Sequence, residues 1–283
     1  MSSAPPRLAS SDASDAGLGG FMGVCALTHE EGEFISAHLI PKALTRPSVR
    51  GRPLLQIESG KKPKRRWDSW YDDHLVTIAG EAILTELDTW AIQHLRAHRL
   101  VWSGWGSART LLGHYSPIAN SPWGIRRVAG LDTLRLRLFY ISLLWRAAAT
   151  TRPEFAEVEL PPDDMETLRS MLIERKASPA SFYRVQLTQL STKGLIHNMP
   201  PIAQYKEVKN LVIGMKHRVE KIFRFYFDGL IAHIHCPDTE SAGSDYGPLV
   251  LGAEEDVVLS TVTYEQLVSE RELGCSVHRV ASV

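Results

Sequence analysis

Phe34-Ile35-Ser36-Ala37-His38-Leu39-Ile40-Pro41-Lys42 is the stretch on which the reading of the amino-terminal half turns. An imidazole is followed by two aliphatic residues and a proline, a lone cysteine (Cys25) stands upstream, and Asp72-Asp73-His74-Leu75-Val76 follows downstream. Phe21–Cys25 and Glu33–Ser36 are short apolar runs separated by His29-Glu30-Glu31-Gly32, a pattern that predicts a hairpin running into the motif. Beyond Val76 the period changes. Leu84, Leu87, Ala91 and Leu95 recur at three and four, with Glu81, Glu86 and Asp88 towards the start and Arg96, His98 and Arg99 towards the end. Those charges complement the dipole of a helix over residues 80–100.

A Cys, then a ribbon carrying His-aliphatic-aliphatic-Pro, then an Asp/His step into a helix resembles the HNH (treble-clef, ββα-metal) endonucleases. The bacterial members that carry Ser-His-Ile-Ile-Pro-Lys are the nearer form, matched here by Ala37-His38-Leu39-Ile40-Pro41-Lys42. The resemblance implies a small ββα module in which His38 activates a water as general base, its ring steered by a neighbouring oxygen. It assigns Asp73 and His74 to metal or phosphate contact, with Asp72 beside them, and Asp88 to a position where the shorter form places an aspartate. If cleavage survives, magnesium or manganese is the implied cofactor. The departures are specific. Ala37 stands where the family has a metal ligand, Cys25 has lost its knuckle partner, and Thr77–Glu81 contains no sulfur. A closed zinc site needs four soft or imidazole ligands, and Cys25, His29, His38 and His74 are all this region offers, so no structural zinc is expected. Apolar packing by Leu27, Ile78 and Ala79 is the expected substitute, at roughly 25 cal/mol per Å² buried. The resemblance therefore implies a degenerate scaffold acting by binding DNA or RNA, with an active metal-dependent endonuclease as the alternative.

Residues 46–66 lack helical period and hold Pro47, Gly51, Pro53, Gly60 and Pro63, the composition of a loop or ribbon. Within it Lys61, Lys62, Lys64, Arg65 and Arg66, followed by Trp67, form the densest positive cluster. Such a run is either a solvated loop or a grip on a phosphate backbone with an indole to stack on a base. His94 and His98 lie four apart on one helical face without a third ligand. Trp102 and Trp105 among glycines read as a close turn against an apolar surface, with a base platform as the sharper alternative.

Residues 116–128 hold Pro117, Asn120, Pro122 and Gly124 and are expected to link two domains, 21–115 and 129–283, behind a disordered tail over 1–20. The second domain opens with the most apolar helix, Leu131, Leu134, Leu138, Ile141 and Trp145 on one stripe, broken by Arg135, Arg137, Ser142 and Arg146. Pro161–Glu166 starts another helix ahead of Leu168, Met171 and Leu172. Phe223, Phe225 and Phe227 alternate with polar residues, Asp228-Gly229 signals a hairpin turn, and Leu230–Cys236 returns with His233 and His235 on one face, a metal pair only if a third ligand exists. Glu254–Thr261 reads as a strand and Tyr264–Arg271 as a helix. The fold class is α+β.

Across all 283 residues, 32 basic side chains balance 32 acidic ones, so no global field draws the chain to nucleic acid or membrane and any contact is local. Three cysteines, Cys25, Cys236 and Cys275, are odd in number and widely spaced, which argues for a reducing compartment and a cytoplasmic location. No run is apolar enough to span a bilayer, and a protein partner is compatible with the pattern. Neither a Gly-x-Ser-x-Gly elbow, a His-Glu-x-x-His pair, a Walker loop nor a dinucleotide fingerprint occurs.

Overall fold

The computed structural model describes residues 21–45, 54–57, 62–195, 197–208, 218–237 and 247–268. The expected tail over 1–20, Lys61, Cys275 and His278 lie outside them. The class is α+β. Strands β1 (Met22–Val24), β2 (Glu31–His38) and β5 (Tyr71–Thr77) form a three-stranded antiparallel sheet that runs directly into helix α2 (Ile78–Ala97). The predicted hairpin is β1–β2. Its turn is closed by Cys25 N–H to the Glu30 carbonyl and His29 N–H to the Cys25 carbonyl, each 2.9 Å. A single turn, α1 (Lys42–Thr45), follows the motif, and β3 (Leu54–Gln56) pairs with β4 (Lys64–Arg66) as a separate ribbon.

The remaining strands make one seven-stranded sheet in the order β6-β7-β12-β8-β11-β10-β9, antiparallel except for β12 beside β8. Here β6 is Ser116–Pro117, β7 Gly124–Val128, β8 Arg184–Leu190, β9 Ile202–Val208, β10 Arg218–Phe227, β11 Leu230–His235 and β12 Val257–Val262. Residues 116–128 are therefore no linker. Buried Val128 and Arg126 alternate along β7, which pairs with β12 and fills the sheet. Nor does the core divide there. A continuous buried cluster runs from Cys25 and Leu27 through Leu84, Leu95 and Phe139 to Phe225 and Leu259.

Helix α3 (Thr133–Ala149) lies at the centre of that core. Asp132 caps it by accepting the Arg135 N–H at 2.9 Å. Phe139 and Tyr140 meet Phe227, and Phe223, Phe225 and Phe227 share the inner sheet face with Leu230, Ala232 and Ile234, all buried. Helix α4 (Pro162–Ile173) covers α3 with Leu168, Met171 and Leu172. The β10–β11 turn is the two-residue type its sequence predicts, with positive φ at Asp228 (51°) and Gly229 (81°). A Cβ at Gly229 would lie 2.3 Å from the Trp102 ring, so glycine is required twice over.

Three buried arginines fasten these layers, two of them, Arg137 and Arg146, expected as polar interruptions of the apolar helix. Arg146 on α3 makes a two-pronged ion pair with Asp88 on α2 (2.7 and 2.9 Å) and donates to the His38 carbonyl at 2.9 Å. Arg137 donates to the carbonyls of Ala177, Pro179, Phe182 and Tyr183, fixing the approach to β8. Arg126 donates to the carbonyls of His98 and Arg99 at the end of α2, where helix carbonyls lack partners. Arg146 is 1% exposed and Asp88 13%, so deleting one partner strands a charge in the core. Asp88→Ala is expected to lower unfolding free energy by about 3–5 kcal/mol. The double variant Asp88→Leu/Arg146→Met should lose less, as read from urea denaturation midpoints.

Candidate functional site

The imidazole of His38 sits at the end of β2, opposite Tyr71 on β5. The adjoining segment is pinned by Leu39 N–H to the Trp70 carbonyl (3.0 Å) and Ser69 hydroxyl to the Ile40 carbonyl (3.0 Å). Lys42 and Asp68 form an ion pair at 2.8 Å on this same end, and the Lys42 ammonium, together with the Ser69 N–H, holds the Asp68 carboxyl below its usual range against partial burial. His38 is half-buried. Its Nε2 is enclosed and has no hydrogen-bond partner among the described residues. Burial is the main force holding this imidazole below its ordinary pKa. Lys42 and Arg146 add to it, while Asp68 and Asp88 oppose it. At neutral pH the ring is therefore uncharged, able to accept a proton or a hydrogen bond.

The other residues expected to join it point elsewhere. Ile35 pairs with Val76 and Ala37 with Asp72, so Asp73, His74 and Leu75 together face the single residue Ser36. That bulge turns Asp73 and His74 into solvent. Asp72 stabilises it by accepting the His74 N–H at 2.9 Å, and its other oxygen takes the Thr150 hydroxyl at 2.5 Å. The His74 ring packs against Phe21 and Phe34 at 5.8 and 5.7 Å between centroids. Phe34 precedes His38 by four strand residues, a separation of about 13 Å. His38, Asp73 and His74 thus do not converge.

The donor set for a metal was tested on this geometry. Ala37 is buried and has no donor atom. Among the described residues no group of three or more His, Cys, Asp or Glu side chains is placed to hold an ion. The first turn of α2 leaves no room for zinc, because the Cys25 sulfur is packed so closely on Gly80 that a Cβ there would lie 2.6 Å from it. The Thr28 N–H points at that sulfur from 3.4 Å. Burial tends to raise the thiol's pKa, but hydrogen bonds from Thr28 and Thr77 bring it below the ordinary value. Cys25, Leu27 and Val76 pack together there against Gly80. Ile78 (53% exposed) and Ala79 face solvent, contrary to expectation. The residues present do not fit either metal.

The β3–β4 ribbon carries the basic cluster. Lys62, Lys64 and Arg65 are exposed and have no carboxylate partner among the described residues, and Trp67 is 73% exposed. Arg66 is the exception. It pairs with Glu154 at 3.1 Å, where Arg152 also binds, and Arg152 donates to the Tyr71 carbonyl at 2.7 Å. These contacts tie the base of the ribbon to the strand that pairs with His38.

The remaining motifs resolve as packing. His94 stacks on Trp90 and shares its Nδ1 with the Trp90 carbonyl at 2.8 Å. Trp102 and Trp105 are each 3% exposed, which removes them as base platforms, and Trp105 donates to the Arg99 carbonyl. Asp88 pairs with Arg146. Sequence reasoning missed Asp68, Glu154 and Arg146. Only Arg146 left a signal: a cation inside an otherwise apolar helix demands a partner. Searched against family models, curated proteins and solved structures, the chain matches none of them.

A depressed imidazole pKa means the unfolded chain takes up the proton first, so acidification below the ordinary histidine value costs stability and raising pH restores it. His38→Gln is expected to lose less stability than wild type between pH 7.5 and 5.5. Denaturant midpoints at the two pH values read the difference; equal losses would show that the imidazole is not held in its neutral form.

Proposed function

We propose that the protein binds nucleic acid through the β3–β4 ribbon, carried on a small ββα scaffold akin to the HNH nucleases that no longer assembles a metal site. The observation that carries this reading is the ribbon itself. Three solvent-facing cations without carboxylate partners among the described residues stand next to an indole that is 73% exposed. Unpaired lysines and arginines neutralise phosphates and release counterions. An exposed tryptophan offers a face on which any base stacks. The uncharged His38 and the Lys42–Asp68 pair lie at the end of the sheet where the ribbon is anchored, and they supply polar contacts beside the same strand. The lost ligand at Ala37 and the outward turn of Asp73 and His74 favour binding over cleavage.

Gel-shift titrations with single- and double-stranded DNA and with RNA test the proposal. Replacing Lys62, Lys64 and Arg65 with alanine should flatten the salt dependence of log affinity by about 2–3. Trp67→Ala should weaken single-strand binding about tenfold, in keeping with roughly 1–3 kcal/mol per stacked base. An unchanged slope retires the ribbon. A plasmid-nicking assay with magnesium, manganese or nickel addresses the second reading, in which the free Nε2 of His38 acts as general base. Nicking present in wild type and lost in His38→Ala would replace a binding protein with a nuclease.

A further inference from the structure

The outer face of the seven-stranded sheet is polar where its inner face is apolar. In register across it lie Gln204, Ile222, His235 and Arg184, and in the next row Ile202, Arg224, His233 and Gln186. Glu220 is already engaged, its Oε2 2.7 Å from His235 Nδ1 and its Oε1 3.5 Å from Arg184. His235 Nε2 in turn meets Gln186 at 3.2 Å. Arg224, Lys206 and His233 have no such balance among the described residues. Arg224 is 9% exposed, and the partner its guanidinium meets among the described residues is the Met199 thioether at 3.8 Å. Lys206 and His233 have neither an ion pair nor a hydrogen bond there. Buried charges are ordinarily paired, and leaving them unpaired is costly.

Between these groups lies a cavity of about 480 Å³ lined by Ala203, Gln204, Tyr205, Lys206, Ile222 and His233. Lys206 reaches close enough across it that its charge, after burial, depresses the His233 imidazole, which is held down to about 3 and so offers a single N–H at neutral pH. We propose that this cavity binds a small phosphate monoester, its phosphoryl group held by Lys206, Gln204 and His233. The Lys206 ammonium supplies the charge a phosphoryl group seeks, and the N–H groups of Gln204 and His233 supply donors to its remaining oxygens. The volume exceeds that of phosphate alone and falls in the range of small-molecule sites. Ile222, in register with Gln204 on the same face, suits the organic part of the ester.

Calorimetry on the full chain at constant ionic strength, with inorganic phosphate and phenyl phosphate as probes, tests the site. Wild type should bind both, phenyl phosphate more tightly, and the His233 ring signals should move in NMR spectra. Lys206→Met and His233→Gln should each weaken binding by about tenfold or more, the usual scale for a lost charge-assisted contact. Lys206→Met should also raise the melting temperature without phosphate, since it deletes an unpaired cation, and phosphate should then add less stability than it does to wild type. The ribbon variant lacking Lys62, Lys64 and Arg65 should bind phosphate as wild type does, which separates this site from the proposed nucleic-acid surface. No heat and no ring shift with wild type, or unchanged affinity in both cavity variants, would overturn the assignment.

Discussion

The guanidinium of Arg146 is the contact on which the arrangement of layers depends. It is buried in the face of α3, grips both oxygens of Asp88 on α2 and holds the backbone carbonyl of His38 where β2 ends. Ser142, one turn earlier on its own helix, accepts two further donors from it, leaving the fork fully used. A hydrophobic core alone sets which faces meet but tolerates sliding. A planar fork with fixed donor directions does not. The position of His38 relative to α2 is therefore set from outside residues 21–97, by a residue more than a hundred positions further along the chain. Arg126 acts in the same sense at the other end of α2, where it and Gln189 take up the carbonyls of residues 98–100. The helix is clamped at its middle and its end by parts of the chain that the sequence reading assigned to a second domain and to the linker before it.

That explains what was legible and what was not. The period of Leu84, Leu87, Ala91 and Leu95, the apolar run of α3 and the Asp228-Gly229 turn are local signals, and each element formed where its pattern lay. The hairpin before His38 was legible for the same reason. The false linker arose because prolines and glycines over 116–128 mark turns without saying what the intervening residues pair with. Gly124–Val128 reads as polar and short, yet it pairs with β12 from the far end of the chain. The candidate site failed in a comparable way. Asp73 and His74 are near His38 in any ideal ladder, and a bulge that no residue in the sequence announces turns them outwards. Long-range ion pairs such as Arg66–Glu154 and Arg146–Asp88 left no pairwise trace either.

The distribution of charge supplies the remaining step. Basic and acidic residues balance over the chain, but they are not mixed along β2. Glu30, Glu31 and Glu33 crowd the hairpin turn at its start, while its far end meets Lys42, Tyr71 and the anchor of the basic ribbon. Strand β2 spans eight residues, so these ends lie roughly 23 Å apart, more than two screening lengths at physiological salt. A polyanion approaching the sheet is repelled at one end and attracted at the other without any net charge on the protein. On the proposed reading this polarity sets where a nucleic-acid backbone lies, across the ribbon and the His38 end and away from the turn. It also fits a ribbon whose Lys62, Lys64 and Arg65 have no carboxylate partner among the described residues, while the nearby Glu154 and Asp68 are spent on Arg66 and Lys42.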